Sequence, residues 1–222
     1  MGKDHRDSTM VYHGELCPQP KSLLMSLNSL QNNDVLARCD WCGDDALYQH
    51  YHDTEWGVPS YDDATLFEYL ILEGAQAGLS WITILRRREG YRRAFEGFDP
   101  ARVAAYRDSD VARLLADSGI IRNRQKIRSA INNAKLFLAV QEEFGSFSNY
   151  LWGYVDGEPI VNYFVEHAAV PATTPLSDQI SRDMKQRGFS FFGSTICYAY
   201  LQSMGVVNDH LTSCHQHPDN CN

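Results

Sequence analysis

The sequence predicts an all-α domain over residues 38–215, with a flexible N-terminal extension at 1–37 and a short tail at 216–222. Three observations carry this prediction. Apolar residues recur at three- and four-residue spacing, most clearly at Leu66, Phe67, Leu70 and Ile71. Helix starts and stops are written as Ser, Asp or Asn, followed downstream by Gly. No convincing stretch alternates apolar with polar residues as a half-buried strand would.

Within the extension, Pro18 and Pro20 and a weakly apolar patch at residues 23–30 allow one short helix. Asp62 or Asp63 can cap a helix that runs to about Gly74. Ser80 is placed to cap a second helix carrying Trp81. Asp99-Pro100 is a cap followed by proline at the first helical position. Ser109 or Asp110 opens VARLLADSG, which stops at Gly119. Asn123 caps a long helix to about Phe144, with Gly145 just past its end. Ser146 opens a short aromatic segment. Residues 155–175 are the least periodic part and read as an extended excursion. Ser177 then caps a helix stopped by Gly188, and Ser194 caps one stopped by Gly205.

The organising stretch is LEGAQAGLSW, residues 72–81. It places one acid, Glu73, at the end of an apolar helix. Gly74, Ala75, Ala77 and Gly78 follow, small enough for a ligand or another backbone to come close. Acids on helices ordinarily face water, so Glu73 acquires meaning only if the chain supplies a pocket. Residues 38–59, RCDWCGDDALYQHYHDTEWGVP, offer one, with Trp41, Tyr48, Tyr51 and Trp56 close together. Such rings fill space under a loop, and they equally wall a site for a flat heteroaromatic ligand.

The formal net charge of -8 argues against nucleic acid as a partner. The average conceals two basic runs, however: five arginines in RRREGYRR at 86–93 and four bases in RNRQKIR at 122–128. Two such runs flanking the central stretch point to a phosphate-facing surface. There is no run of about 18 apolar residues and no signal pattern at the N-terminus, so a cytoplasmic protein without a membrane partner is expected.

Six cysteines are scattered rather than framed as a disulfide scaffold, and eight histidines accompany them. His210 and Cys214 stand one helical turn apart, while Cys39 and His52 lie at the other end of the domain. Two Cys and two His make a closed tetrahedral set of the kind that holds structural zinc. Spacing alone leaves Cys42, His215, His217 and Cys221 as competing ligands. Between Leu114 and Arg128, LLADSGIIRNRQKIR reads as two helices joined by a tight hairpin. Such a turn can present backbone amides and a helix N-terminus to a phosphate, although ordinary helix pairs share the shape.

The motifs RCDW, LYxxYHDTEWGVP, LEGAQAGLSWITILRRRE, SGIIRNRQKI and RGFSFFGSTICYAYLQSMGVVNDH resemble, in family order, those of the bacterial-type 3-methyladenine DNA glycosylase I family. The resemblance covers about residues 38–214. It implies a helix-hairpin-helix fold that removes 3-methyladenine from alkylated double-stranded DNA and releases the free base; a monomer, associated with the nucleoid when on DNA, is expected. It implies that Glu73 is the pocket acid and that Trp41, Tyr48, Tyr51, Trp56 and Trp81 wall the base. Gly78 and Leu79 match the loop that fills the gap left by the flipped base. Gly119, Arg122, Arg124 and Lys126 fall in the DNA-facing hairpin. Cys39, His52, His210 and Cys214 match one structural Zn2+ site.

The chemistry implied is compatible with these residues. Methylation at N3 makes adenine cationic, so the glycosidic bond is already weakened and the departing base is neutral. Helix-hairpin-helix glycosylases commonly carry an aspartate about twenty residues after the hairpin, yet residues 123–141 contain no Asp or Glu. No pocket lysine suggests a nucleophile, so a monofunctional hydrolase is expected. Two positions depart from the family pattern, Asp40 between Cys39 and Trp41, and Ala75, which would remove a pocket hydrogen bond. Two rival readings are a non-catalytic DNA- or base-binding module and a zinc hydrolase, the second opposed by a closed ligand set.

Overall fold

The computed structural model describes residues 36–220. The expected extension, its short helix, Cys17 and Cys221 therefore lie outside the described residues, apart from positions 36 and 37. The helices are α1 (Ala46–Thr54), α2 (Asp63–Gln76), α3 (Trp81–Leu85), α4 (Arg88–Ala94), α5 (Pro100–Ala104), α6 (Asp108–Ala116), α7 (Arg124–Phe144), α8 (Phe147–Trp152), α9 (Pro175–Arg187) and α10 (Ser194–Ser203). Among the described residues, no helix is long and apolar enough to cross a membrane.

Helix α2 is the core element. Leu66, Phe67, Leu70, Leu72 and Tyr69 are all buried, so the helix is apolar nearly all round and must be enclosed. It packs against α7, α10, α3 and α8. Of the two aspartates at its start, Asp62 is the cap, accepting from Thr65 N at 2.9 Å. Asp63 instead accepts from the amides of Phe147 and Ser148, satisfying the first turn of α8, and from Gln141 Nε2.

The long α7 follows the prediction: Asn123 Oδ1 accepts from the amides of Gln125 and Lys126, and Gly145 closes it at φ +84°. Several starts differ by a few residues. Helix α6 begins at Asp108 because Asp110, sitting in its first turn, reaches back to the Arg107 amide. Helix α9 begins at Pro175 behind a reciprocal cap between Thr174 and Ser177, so Ser177 is inside the helix rather than its cap. Ser194 is likewise the first residue of α10, and its hydroxyl meets Ser177 Oγ at 2.8 Å. Ser80 stands at the N-cap of α3, but its hydroxyl contacts Thr83 Oγ1 instead of a backbone amide.

The excursion after α8 holds a feature the pattern could not reveal. β1 (Ile160–Val161) pairs in parallel with β2 (Val207–Asn208), two residues each. Two residues are too few to display alternation.

The hairpin between α6 and α7 is buttressed from α4. Tyr91 OH accepts from the Ile121 amide at 3.1 Å. A Cβ at Gly90 would lie 2.3 Å from the Gly119 carbonyl oxygen, so the backbones touch here. Gly90→Ala is expected to force the hairpin away from α4, destabilising the protein by about 1–3 kcal/mol. Denaturant unfolding checks this, and an unchanged midpoint would show that the contact carries no weight.

Candidate functional site

A cavity of about 270 Å³ opens between α1, the end of α2, α3 and α10. Trp41, Tyr48, Tyr51, Trp56 and Trp81 all line it, so the structure gathers the five predicted rings. Trp41 contacts Tyr48 and Trp56 edge-on, each with ring centroids 4.9 Å apart, and Tyr51 lies 5.5 Å from Trp81. Tyr69, behind the wall, stacks on Trp81. These edge-to-face contacts fix the rings and leave faces for a flat ligand.

Glu73 lies in the floor, 1% exposed. Its Oε1 accepts from Ser203 Oγ at 2.9 Å, and Ser203 Oγ is 3.0 Å from Tyr51 OH. Burial pushes the carboxyl up to about 8, against a smaller lowering by the Ser203 hydrogen bond. Among the described residues, three buried side-chain polar atoms lack a partner: Glu73 Oε2, Gln76 Oε1 and Trp81 Nε1. All three belong to residues that line this cavity. Orphaned polar atoms are costly in an interior, so the cavity is built for a ligand that presents both donors and an acceptor.

Past the end of α2 the chain turns at Gly78, φ +79°, and leaves Leu79 41% exposed. Lys126 Nζ donates to the carbonyls of Ala75 and Ala77 at 2.8 and 2.6 Å. A cation at a helix C-terminus opposes the exposed carbonyls there, so Lys126 holds this turn. Its ammonium is thereby taken up inside the protein rather than offered to a phosphate. Gly119 donates its amide to Asp117 Oδ1, whereas Arg122 and Arg124 are exposed beside it.

The first basic run also differs from the expectation of a free phosphate-facing surface. Arg88 is paired with Glu55 and Glu68, Arg92 with Glu68 and Glu89, and Arg86 with Asp45. The charge pattern showed the arginines, but most of their carboxylate partners come from elsewhere, Asp45 and Glu55 flanking α1 and Glu68 in α2, with Glu89 alone from α4 itself. Ala75, the departure expected to cost a pocket hydrogen bond, is buried away from the main cavity, beside Tyr91, Phe95 and Ile121. Asp40 is exposed.

Behind the aromatic wall, Cys39, His52, His210 and Cys214 place their ligand atoms within 4.8 Å of one another, all buried. His52 turns its other nitrogen to Asp53 Oδ1 at 2.8 Å, and His210 turns its own to the Trp56 carbonyl at 3.0 Å. That orientation directs the remaining nitrogens to the cluster and is the usual support of a metal-binding His. Backbone amides of Leu211 and Gln216 point at the two sulfurs. The group can hold a metal ion. The competing donors are turned elsewhere, with Cys42 on the Cys39 carbonyl, His215 on that of Ala37 and His217 on that of Asn162.

A sequence model of the methyladenine glycosylase family matches residues 41–217. The chain belongs to this methyladenine glycosylase family. DNA-3-methyladenine glycosylase 1 of Escherichia coli K12 is 46% identical over 185 residues, 83% of this chain and 99% of that protein. The Haemophilus influenzae DNA-3-methyladenine glycosylase is 46% identical over 180 residues, 81% of this chain and 97% of that one. A crystal structure of a 3-methyladenine DNA glycosylase I aligns with TM-score 0.80 at 50% identity, covering 82% of this chain and 100% of that one. The Staphylococcus aureus 3-methyladenine DNA glycosylase I, solved to explain its recognition of 3-methyladenine, aligns at 0.79 with 36% identity, covering 82% and 96%.

The site of this methyladenine glycosylase includes residues that sequence reasoning missed. Gln76 stands three positions after Glu73 on one helix, a spacing that could have flagged it. Ser203, Gln202, His167 and Val170 line the cavity from distant segments and carried no local signal. Asp209 is buried there too, satisfied by Tyr198, Gln202 and Asn162.

The raised Glu73 carboxyl makes stability depend on pH. Between the ordinary carboxylate range and about 8, the folded state keeps a proton that the unfolded chain has lost. Stability is therefore full below about pH 4.5 and falls as pH rises to about 8, by on the order of 4 kcal/mol. Glu73→Gln removes that dependence. The melting temperature of the variant relative to wild type is expected to rise by several degrees from pH 5 to pH 8. A difference that stays constant with pH would count against an uncompensated acid.

Proposed function

We propose that this glycosylase hydrolyses the N-glycosidic bond of 3-methyladenine in alkylated duplex DNA, after flipping the damaged base into the aromatic cavity. The observation that carries this reading is the placement of all three orphaned polar atoms on the cavity lining. An aminopurine made cationic by methylation supplies what they lack. Its exocyclic amine donates to Glu73 Oε2 and Gln76 Oε1, its ring nitrogens accept from Trp81, and its charge is met by a carboxylate. The rings add cation–π attraction of about 0.5–2 kcal/mol for each good contact.

In the reaction the C1′–N9 bond breaks and its electron pair passes to the base, which leaves as neutral 3-methyladenine. A water oxygen bonds to C1′, and the water proton passes to solvent. Because methylation has already weakened the bond, the protein's task is chiefly to extrude and hold the base. Leu79 on its Gly78 turn fills the gap in the duplex, with the turn fixed by Lys126. Arg122 and Arg124 meet the phosphate backbone at the start of α7, where the positive helix end favours an anion. Gly119 shapes the hairpin rather than lending its amide, which Asp117 already takes. The cavity is complete within one chain, which supports action as a monomer, in the cytoplasm where DNA is reached.

The metal is assigned as zinc on the donor set. Sulfur–nitrogen separations in the cluster are 3.4, 3.5 and 3.7 Å. A tetrahedral zinc with ordinary Zn–S and Zn–N bonds sets such edges at about 3.6 Å. Four protein ligands fill the coordination shell, so the ion is structural. It ties Cys39 and α1 to the segment after β2, and thereby holds Trp41 and Trp56 in the wall. Stripping the metal with a strong chelator is expected to lower the melting temperature, with activity lost in step with folding. Loss of turnover in a protein that stays fully folded would instead make the metal catalytic.

The direct test is base release from methylated duplex DNA, with products separated by chromatography. Wild type is expected to release 3-methyladenine, and Glu73→Gln to retain binding of the free base while releasing it at least 10²-fold more slowly. Binding of free 3-methyladenine by folded wild type with no release from DNA would identify a binding module instead.

A further inference from the structure

The base pocket contains a hydrogen-bond chain that the reaction scheme above does not use. Ser203 has a single O–H, and the structure gives it to Glu73 Oε1 at 2.9 Å. Its oxygen is therefore left to accept, and Tyr51 OH, 3.0 Å away, is the donor. The chain runs Tyr51 O–H to Ser203 Oγ, then Ser203 O–H to Glu73 Oε1. All three residues are buried, Ser203 at 4% exposure and Tyr51 at 2%. They come from three elements, α1, α2 and α10, so the arrangement is one of tertiary packing and not a local turn.

The two carboxyl oxygens of Glu73 are thus made inequivalent. Oε1 is occupied by a donor, while Oε2 has no partner. A neutral carboxyl places its proton on the oxygen that is not already accepting, which here is Oε2. An ionised carboxyl has its charge stabilised from behind by the Ser203 hydroxyl, with Oε2 left open. We propose that Ser203 is a positioning residue for the pocket acid: by engaging Oε1 it directs Oε2 toward the flipped base and favours the carboxylate form that a cationic base requires. When that base enters, the Oε2 proton departs to solvent and the carboxylate accepts the exocyclic amine.

The neighbours of Glu73 leave Ser203 as the side chain that donates to it. Burial raises the carboxyl, and the Ser203 hydrogen bond is the influence that lowers it. Among the described residues, no arginine, lysine or histidine acts on Glu73 as a counter-charge. The other titratable groups facing it are phenols, Tyr48 and Tyr51 of α1 and Tyr200 of α10, each itself pushed up by burial. Gln76 and Trp81 carry no titrating proton, and the imidazole of His167 lines the cavity from an exposed position. Asp209 lines the cavity with its oxygens bonded to Tyr198, Gln202 and Asn162.

The inference rests on the reading of Glu73 as the pocket acid, and the test separates the two. kcat/KM for release of 3-methyladenine from methylated duplex DNA is measured from pH 5.5 to 9.5 for wild type, Ser203→Ala and Glu73→Gln. Binding of the permanently cationic 3,9-dimethyladeninium ion, followed by tryptophan fluorescence over the same range, supplies a readout independent of turnover. For wild type both are expected to rise with pH through the Glu73 titration. Ser203→Ala removes the donor to the charged form, so its acid limb is expected about one pH unit higher. At pH 7 this is roughly a tenfold loss, recovered near pH 9.5. A uniform loss at every pH, or no change, would overturn the proposal, since a packing defect moves the height of the profile and not its limb. Should Ser203→Ala fail to fold, Ser203→Cys, with a weaker donor of similar size, is expected to shift the limb the same way by a smaller amount, and an unmoved limb would overturn the proposal equally. A slow Glu73→Gln beside an unmoved Ser203→Ala profile removes the Ser203 role alone. A Glu73→Gln as fast as wild type removes the acid reading and the Ser203 role together.

Discussion

A carboxyl group buried among aromatic rings must either find a counter-charge or stay protonated. Among the described residues Glu73 has no counter-charge, and the structure around it is arranged to tolerate that. Helix α2 carries it into the core on a run of apolar residues, so its position is set by the packing of Leu66, Phe67, Leu70 and Leu72. The C-terminal end of the same helix carries Gln76 and leads into the Gly78 turn. Lys126 caps that end from α7. Glu73, Gln76 and the exposed Leu79 are therefore referenced to a single helix terminus, which α7 holds through Lys126. A shift at any of these points would be felt at the carboxyl.

The opposite wall needs its own support, because α1 is short and of mixed polarity. It is supplied from behind by Cys39, His52, His210 and Cys214, which join the start of the domain to its end. His52 and His210 lie against Trp41 and Trp56, with ring centroids 4.6 to 6.2 Å apart. The cysteine–histidine cluster and the aromatic wall are thus one packed unit. Salt bridges from Arg88 to Glu55 and Glu68 tie the same region to α2 and α4. An acidic protein can present a basic surface under these conditions because its arginines divide into two populations. Those near α4 are largely neutralised internally, whereas Arg122 and Arg124 at the hairpin are left to solvent.

That division marks where the sequence was and was not legible. Caps are local, so Asp62, Asn123, Gly145 and the Asp99-Pro100 start could be read from a few neighbouring residues. Where two capping residues were in reach, as at Thr174 and Ser177, the tertiary context chose between them. Four of the five rings stood out by their closeness within residues 38–59, whereas Trp81 and the choice of the four cluster residues came through the family resemblance, since spacing alone left Cys42, His215, His217 and Cys221 in contention. Partners distant in the chain were invisible. Ser203 meets Glu73 across 130 positions, and Lys126 meets Ala75 across 51. A sequence shows that a lysine carries charge but not that two carbonyls will absorb it.

If Glu73 meets the flipped base as proposed, the electrostatic state of the pocket bears on how damage is told from normal adenine. With Glu73 near 8, the acid is mostly neutral at pH 7, and ionising it costs about 1.4 kcal/mol there. A cationic base repays that cost through Coulomb attraction in a poorly screened interior, where a pair at contact distance is worth several times its value in water. A neutral base brings no such term and meets a protonated acid, which offers Oε2 as a donor to an amine that is itself a donor. The mismatch adds to the stronger glycosidic bond of the undamaged nucleotide. Charge selection at the pocket and lability at the bond therefore act on the same methyl group, and neither requires the protein to recognise that methyl by contact.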